Sequence, residues 1–459
     1  MFKRKLIASG ISLMLGAPLS AFAAEDAEML QIREEIKALR QSYEARIEAL
    51  EQRLQRAEAM AGKAESRAAQ AESATAQAAS STPSSAASAF NPAISLILSG
   101  TYASLSQDPA DYRITGFIPG GEIAPGTRGF SLAESELVVS ASIDPDFYGH
   151  LTLALSPENT LGVEEAAIQT TTLGHGLTAK AGRFYSGIGY LNEQHPHSWD
   201  FVDAPLAYKA FLGRQYGNDG VQLKWVAPAD TFLELGAEAG RGSNFPGSEL
   251  NRNGIGSYAL FAHLGDDIGT GHSWRAGISW LHNTAKARAF DDLDNAGNMI
   301  SNSLDGSSKL WLADFVWKWA PDGNPAQRNF KLQGEYFRRQ ESGDLTFDTA
   351  VTNSIDRYSA TQSGWYLQGV YQFMPHWRAG LRADRLDSGT VDYGAFNSAY
   401  LSAPDYSPSR NSLMVDYSPS EYSRLRLQLA RDKSRQGVTG NQIFLQYIMS
   451  LGAHGAHKF

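Results

Sequence analysis

Two histidines on either side of a proline are the residues of this chain most suited to bind a metal. His195 and His197 flank Pro196, and the carboxylates of Glu193 and Asp200 lie close to them in the chain. Zinc and copper commonly take imidazole nitrogens and carboxylate oxygens as protein ligands. A loop could bring three of these groups together, so His195 and His197 are candidate metal ligands. An ordinary packed loop is the alternative interpretation.

Charged residues also recur at alternate positions of several apolar segments. Successive side chains of a strand point to opposite faces, so these charges are expected to share the face that would line the interior of a closed sheet. The candidate lining residues are Lys180, Lys224, Arg275, Lys318, Lys331, Arg378, Arg382, Arg424, Arg426, Glu234 and Glu335. Rings of one charge select the opposite ion, and mixed rings select weakly. Arg378, Arg382, Arg424 and Arg426 lie on segments separated by one hairpin, so they are expected to form a basic patch.

The elements that must position these residues are amphipathic strands, and the last one is the clearest. Ile443, Leu445 and Tyr447 alternate with polar residues such as Gln446, and the chain finishes on Phe459. This segment resembles the closing strand of bacterial outer-membrane β-barrels. The resemblance implies that the barrel assembly machinery of the outer membrane recognises the strand through Phe459.

About sixteen segments alternate in this way, a number at which a barrel can hold an aqueous channel. Short turns alternate with long polar stretches at 242–253, 284–306, 341–360 and 387–409, which is the asymmetry expected of turns on one side of a membrane and loops on the other. Residues 187–215 are expected to fold inward as a constriction. A soluble β-sandwich is the competing fold, but it would bury its apolar face.

The N-terminal part predicts export and a coiled coil. A basic start, a short apolar run and an Ala-Phe-Ala site predict a signal peptide over 1–23. Apolar residues then follow a heptad spacing over 24–79, which predicts an α-helical coiled coil in the periplasm. A Ser-rich linker over 80–89 precedes the barrel over 90–459. The predicted fold is therefore an all-β transmembrane barrel of about 16 antiparallel strands preceded by a coiled coil.

Composition narrows the function classes. The net charge of −9 argues against a nucleic-acid-binding protein, which would usually be basic. The chain has no cysteine, which excludes disulfides and a lipid anchor on cysteine. A mean hydropathy of −0.31 is compatible with a barrel because alternation dilutes hydropathy. We find no catalytic triad signature, phosphate loop or zinc-protease motif, and we expect no enzyme activity and no cofactor.

One hairpin carries a more specific resemblance. Glu164-Glu165-Ala166-Ala167 is followed after a glycine turn by Ala181-Gly182-Arg183-Phe184. This arrangement resembles the strand-turn-strand of the phosphate-selective porin O/P family. The resemblance implies a sixteen-stranded, trimeric porin, and some members of that family line the pore with Arg and Lys for anions. The acidic residues of this chain's predicted lining depart from such a pure anion pore.

The sequence therefore predicts an outer-membrane porin of a Gram-negative bacterium for passive, weakly selective diffusion of small hydrophilic solutes or ions, leaning toward anions. Expected partners are outer-membrane lipid and lipopolysaccharide, two further copies in a homotrimer, and the cell wall through the coiled coil. Nucleic acid is not an expected partner. Two alternatives stay open. One is a zinc-related uptake channel or receptor, and the other is a tether between outer membrane and cell wall.

Overall fold

The computed structural model describes residues 92–248, 251 and 253–452, together with the helical Lys37. The predicted signal peptide, linker and terminal Phe459 lie outside the described residues, as does the predicted coiled coil apart from Lys37. These remain predictions. Among the described residues, no helix combines the length and apolarity needed to cross a membrane.

Antiparallel strands make up most of the described chain. The strands are β1 Ala93–Leu105, β2 Gly129–Leu132, β3 Ser135–Ser142, β4 Phe147–Leu155, β5 Leu161–Thr170, β6 Leu177–Tyr185, β7 Gly217–Val226, β8 Phe232–Gly240, β9 Ser257–Ile268, β10 His272–Leu293, β11 Met299–Trp319, β12 Asn329–Phe347, β13 Ser354–Met374, β14 Trp377–Asp392, β15 Ser409–Ser420, β16 Ser423–Lys433 and β17 Gly440–Gly452. The helices are α1 Leu206–Leu212 and α2 Gly394–Asn397, with short 3₁₀ turns at Pro109–Asp111, Pro196–Ser198 and Pro321–Gly323.

The sheet closes on itself. Each strand from β3 to β16 pairs with the next one in sequence, and β1 pairs with β17 from Ser95↔Gly452 to Leu105↔Gln442. On its other edge, β1 pairs with both β2 and β3, so these two strands share one place in the wall. The result is a barrel of 16 positions, which confirms the predicted fold class for the described residues.

The two ends of the barrel differ. We define the lower end as the end at which β1 begins and β17 finishes. Its connections are short, and the longest covers 320–328. The long connections at 106–128, 186–216, 241–256 and 393–408 all lie at the upper end. This is the predicted asymmetry between turns and loops.

Two of the predicted polar loops are wrong, because they are mostly strand. Residues 284–306 belong to β10 and β11 apart from a turn at 294–298, and 341–360 belong to β12 and β13 apart from 348–353. The pairing continues through these polar segments because the backbone ladder needs no apolar side chains. A buried cluster that includes Leu304, Leu345 and Tyr358 holds together the upper ends of the β10–β11 and β12–β13 hairpins.

The outer face is apolar and carries aromatic residues in two rows. A lower row comprises Trp317, Phe330, Tyr371, Trp377 and Tyr417. An upper row comprises Tyr258, Trp280, Trp311, Tyr336 and Trp365. Between them lie exposed aliphatic side chains such as Leu381 and Leu413. An apolar band between aromatic girdles is the surface that a transmembrane barrel presents to lipid.

Candidate functional site

The candidate site is the barrel interior, which is partly filled by residues 186–216, here called the inner loop. This loop joins β6 to β7 and contacts the wall in almost every direction. Gly189 O accepts a hydrogen bond from Arg275 of β10 at 2.8 Å, and Nδ1 of His197 lies 2.9 Å from Glu136 of β3. Because β3 and β10 lie on opposite sides of the ring, only a segment inside the barrel can reach both. The expectation that residues 187–215 fold inward is therefore met.

Apolar packing holds the helical part of the inner loop. Helix α1 begins after Pro205 and ends at Gly213, whose φ of 63° provides a left-handed cap. All seven of its residues are buried. The ring of Phe211 packs on Phe337 of β12 and on Phe117 of the 106–128 connection, with ring centroids 5.9 and 5.6 Å apart. The inner wall is therefore apolar where it faces α1.

A close backbone approach joins the two connections inside the barrel. Gly121 of the 106–128 connection has a φ of 71°, and a Cβ at this position would lie 2.5 Å from the carbonyl oxygen of Gly213. Any side chain would push the two backbones apart. Glycine at both positions thus lets the 106–128 connection cover the C-terminal end of α1.

Two aspartates of the inner loop bind the basic wall. Asp200 contacts Lys331 and accepts a hydrogen bond from Arg378 at 3.0 Å. Asp203 contacts Arg410 and accepts a hydrogen bond from Arg382 at 2.9 Å. Burial raises the pKa of both aspartates, but these cations outweigh it and hold each pKa well below the usual range. We call Asp200 and Asp203 with these four cations the loop anchor.

The predicted basic patch contains acids as well as arginines. Asp416 of β15 accepts a hydrogen bond from Arg378 at 3.0 Å, and it lies within 4.0 Å of Arg424 and Arg426. Arg426 donates to Trp199 O of the inner loop at 2.7 Å. Arg378, Arg424 and Arg426 therefore lie around Asp416, whereas Arg382 binds Asp203 and Asp384. These arginines face the barrel interior, and their charge also holds the inner loop in place.

All the predicted lining residues face the interior, and eight cations lie close to the lower end. Each is within four residues of the lower end of its strand, and each is buried or partly exposed. This lower cation ring comprises Lys180, Lys224, Arg275, Lys318, Lys331, Arg378, Arg424 and Arg426. Carboxylates reduce the charge at some positions, since Glu234 lies 3.8 Å from Lys224 and Asp314 lies 3.8 Å from Arg275.

Glu335 of β12 is a lining residue with a structural task. It is 3% exposed and accepts hydrogen bonds from the backbone N–H groups of Tyr190 and Leu191 at 3.2 and 3.0 Å. The hydroxyls of Tyr208 and Tyr366 also donate to it, at 2.9 and 2.6 Å. A buried carboxylate with four donors has little capacity left for a passing solute. Glu335 therefore holds the first turn of the inner loop against the wall.

The two histidines lie on the opposite wall, among carboxylates that sequence reasoning did not assign to them. Nδ1 of His195 is 3.1 Å from Glu164 Oε2, and its Nε2 is 3.0 Å from Glu165 Oε2. Burial lowers the pKa of His195, but contacts with Glu136, Glu164 and Glu165 outweigh it and hold the pKa well above its usual range. We call these three glutamates with His195 and His197 the His–Glu cluster.

The two carboxylates that the sequence placed near the histidines bind elsewhere. Glu193 accepts a hydrogen bond from Lys224 at 2.8 Å, and Asp200 belongs to the loop anchor. A β-bulge supplies the carboxylates that contact His195 instead. Thr152 of β4 pairs with Glu165, whereas Leu153 pairs with Val163, so Glu164 is an extra residue. A bulge re-aims side chains, and here two consecutive glutamates point to the same imidazole.

The fold and its interior define a class of protein, which is a closed antiparallel barrel of sixteen positions with a loop packed inside. The chain belongs to the same family as an uncharacterized protein of Aquifex aeolicus (strain VF5). The two are 31% identical over 397 residues, which cover 81% of this chain and 80% of the relative. No family model matches the chain, and the resemblance to the phosphate-selective porin O/P family therefore stays a prediction.

Solved structures of outer-membrane proteins are similar at low identity. OmpT of Vibrio cholerae without loop L8 has a TM-score of 0.49 at 12% identity, covering 79% of this chain and 99% of that chain. OprB of Pseudomonas putida has a TM-score of 0.47 at 15% identity, covering 78% and 94%. The outer-membrane channel DcaP of Acinetobacter baumannii has a TM-score of 0.46 at 13% identity, covering 79% and 97%.

Lys209 of α1 gives the inner loop a pH dependence. Burial lowers the pKa of Lys209 to about 8, although Asp203 at 3.5 Å favours the charged form. An exposed lysine has a pKa near ~10.4, so between these values the packed loop binds fewer protons than a withdrawn loop. Raising the pH through this window therefore stabilises the packed loop. We expect the Lys209 signal to titrate near pH 8 in ¹³C NMR of lysine-labelled folded protein.

The variant Lys209→Met assigns that signal. It should remove the resonance and leave the other lysine signals in place. A Lys209 resonance that titrates with the bulk of the lysines would show that the side chain is solvated, and it would contradict the packed position of α1.

Proposed function

We propose that this protein is a passive diffusion channel in the outer membrane of a Gram-negative bacterium, for small hydrophilic solutes and with a preference for anions. The observation that carries the proposal is the inner loop inside a closed barrel above a ring of cations. The loop narrows the path, and any solute that passes it must then cross the lower cation ring. No part of this arrangement requires energy input or a chemical reaction.

The outer face supports the membrane location. Leu381 is 65% exposed and lies between Trp377 below it and the level of Trp365 above it, because Trp365 pairs with Arg385 further along the same strand. Soluble monomeric proteins rarely expose an apolar patch of this extent to water, and such a patch marks an interaction surface. Lipid of the outer membrane, including lipopolysaccharide, is the partner that an apolar band around a whole barrel fits.

The remaining partners are proposed from the sequence. The chain would assemble as a homotrimer, be inserted by the barrel assembly machinery through Phe459, and reach toward the cell wall through the coiled coil over 24–79. These partners fit the proposed channel, because each of the three copies would keep its own lumen and the periplasmic extension would not block it. The tether to the cell wall needs no lumen, and the ordered interior of this barrel therefore favours the channel.

Ion selectivity tests the proposed function. An ion passing about 7 Å from a unit charge in water interacts with it by about 0.6 kcal/mol. Replacing a cation of the ring by an anion should therefore lower the anion-to-cation permeability ratio at least about twofold. We expect the parent to prefer anions and Lys318→Glu to reduce that preference, as measured by reversal potentials in planar bilayers under a salt gradient.

Lys309→Glu is the matched control, because Lys309 lies on the same strand and is exposed. It makes the same change of charge away from the lumen and should leave the permeability ratio near that of the parent. A parent channel that prefers cations, or equal effects of Lys318→Glu and Lys309→Glu, would contradict the role of the ring. A folded protein that does not conduct would contradict the channel itself.

The membrane location has its own test. An arginine at the middle of the lipid-facing surface of a barrel costs about 2–4 kcal/mol, so Leu381→Arg should lower the free energy of unfolding from lipid vesicles by that amount. Ile355 is 61% exposed near the upper tip of β13, beyond the aromatic rows, and Ile355→Arg should have little effect. Urea titration with tryptophan fluorescence measures both. Equal effects at the two positions would show that no membrane surrounds Leu381.

A further inference from the structure

The His–Glu cluster has the geometry of a metal site, and the channel does not need it. Two carboxylate oxygens compete for one ring nitrogen. Nδ1 of His195 lies 3.1 Å from Glu164 Oε2 and 3.2 Å from Glu136 Oε2. A single N–H can serve only one of these oxygens well. The distribution of donors therefore leaves one carboxylate oxygen without a partner.

That oxygen is Oε2 of Glu136. Glu136 is 1% exposed, and Oε2 is buried without a hydrogen-bond donor. The other oxygen of the same carboxylate lies 2.9 Å from Nδ1 of His197. Leaving a buried carboxylate oxygen without a partner is unfavourable. A cation placed between Glu136, Glu164 and His195 would satisfy all three groups together.

The spacing of the three atoms suits a small metal ion. Zinc binds nitrogen and carboxylate oxygen at about 2.0–2.2 Å, so tetrahedral ligand atoms are roughly 3.3 Å apart. The measured separations from His195 Nδ1 are 3.1 and 3.2 Å, and the three ligand atoms lie within 4.8 Å of one another. Only small shifts of the side chains are therefore needed for the three to bind one ion.

The second ring nitrogen of His195 strengthens this interpretation. Nε2 lies 3.0 Å from Glu165 Oε2. Histidines that bind metals usually donate their other N–H to a carboxylate, which fixes the tautomer and orients the ring. A bound metal would displace the proton from Nδ1, and with the proton kept on Nε2 the Nδ1 lone pair points to Glu136 and Glu164. The bulge in β5 therefore provides one carboxylate to bind a metal and the next to orient its histidine.

The donor set indicates the class of metal. One imidazole with two carboxylates suits zinc and its divalent neighbours, whereas calcium and magnesium prefer sites built from oxygen alone. Three protein ligands leave a coordination position open for water. The cluster is also rich in negative charge, with three carboxylates around two imidazoles, and a divalent cation would offset part of it.

We propose that Glu136, Glu164 and His195 bind a divalent transition-metal ion of the zinc class, with Glu165 orienting the imidazole. His197 holds the second oxygen of Glu136. The proposal keeps His195 as a ligand, as the sequence suggested, and replaces Glu193 and Asp200 by wall residues. The ion would tie the inner loop to β3 and β5, across the barrel from the apolar wall that packs on α1.

Binding of zinc and cobalt to the full chain in detergent tests the site. The protein is purified without a histidine tag and titrated with Zn²⁺ by calorimetry. The parent should bind one ion that His195→Ala and Glu164→Gln variants do not bind. Glu165→Gln should weaken affinity by about 10–100-fold, as expected for a residue that orients a ligand. Co²⁺ bound to the parent should give visible absorption bands that are lost in His195→Ala.

His263→Ala is the matched control. His263 is also a buried histidine inside the barrel, and its Nδ1 lies 3.0 Å from Glu234. Its loss should leave the number of bound ions unchanged. Resistance of each variant to SDS without heating reports that the barrel has folded. If folded His195→Ala binds zinc with the stoichiometry and affinity of the parent, or if the parent binds none at micromolar concentrations, the proposed site is wrong. Neither result bears on conductance.

Discussion

The interior of this barrel depends on the attraction between two loop aspartates and the basic wall that faces them. Asp200 is 3% exposed and the Asp203 side chain 13%, so bulk water has little access to replace Lys331, Arg378, Arg382 and Arg410. Removing one partner of a buried ion pair leaves an uncompensated charge, which typically costs about 3–5 kcal/mol. The wall cations therefore stabilise the aspartates of the inner loop, and the aspartates in turn compensate the charge of the wall cations.

The remainder of the inner loop follows from this constraint. With its middle fixed on β12, β14 and β15, the preceding segment reaches the His–Glu cluster and the following one enters α1 against the apolar wall. Each part of the loop meets a wall region of matching chemistry, which is acidic for the histidines, basic for the aspartates and apolar for the helix. A barrel of 16 positions would otherwise enclose a wide lumen. The inner loop occupies part of that lumen.

The sequence predicted those features that depend on local alternation. Strand faces, the inward direction of Lys318 or Arg424 and the asymmetry of connections follow from a period of two residues, and the structure agrees. Features that depend on distant partners were not predictable. Asp200 was assigned to the histidines because it is close in sequence, but its partners Lys331 and Arg378 are far along the chain. Strict alternation would have placed only one of Glu164 and Glu165 inside the barrel, but the bulge at Glu164 directs both of them inward.

Single-channel conductance of the double variant Asp200→Asn, Asp203→Asn tests most directly whether ion pairing holds the loop in the lumen. The variant leaves the wall arginines without their loop partners, and we expect larger and noisier conductance steps than in the parent. Asp294→Asn, in an exposed turn between β10 and β11, is the control and should conduct like the parent. A folded double variant with the conductance and noise of the parent would contradict the account, because the loop would then be held by something other than these charges.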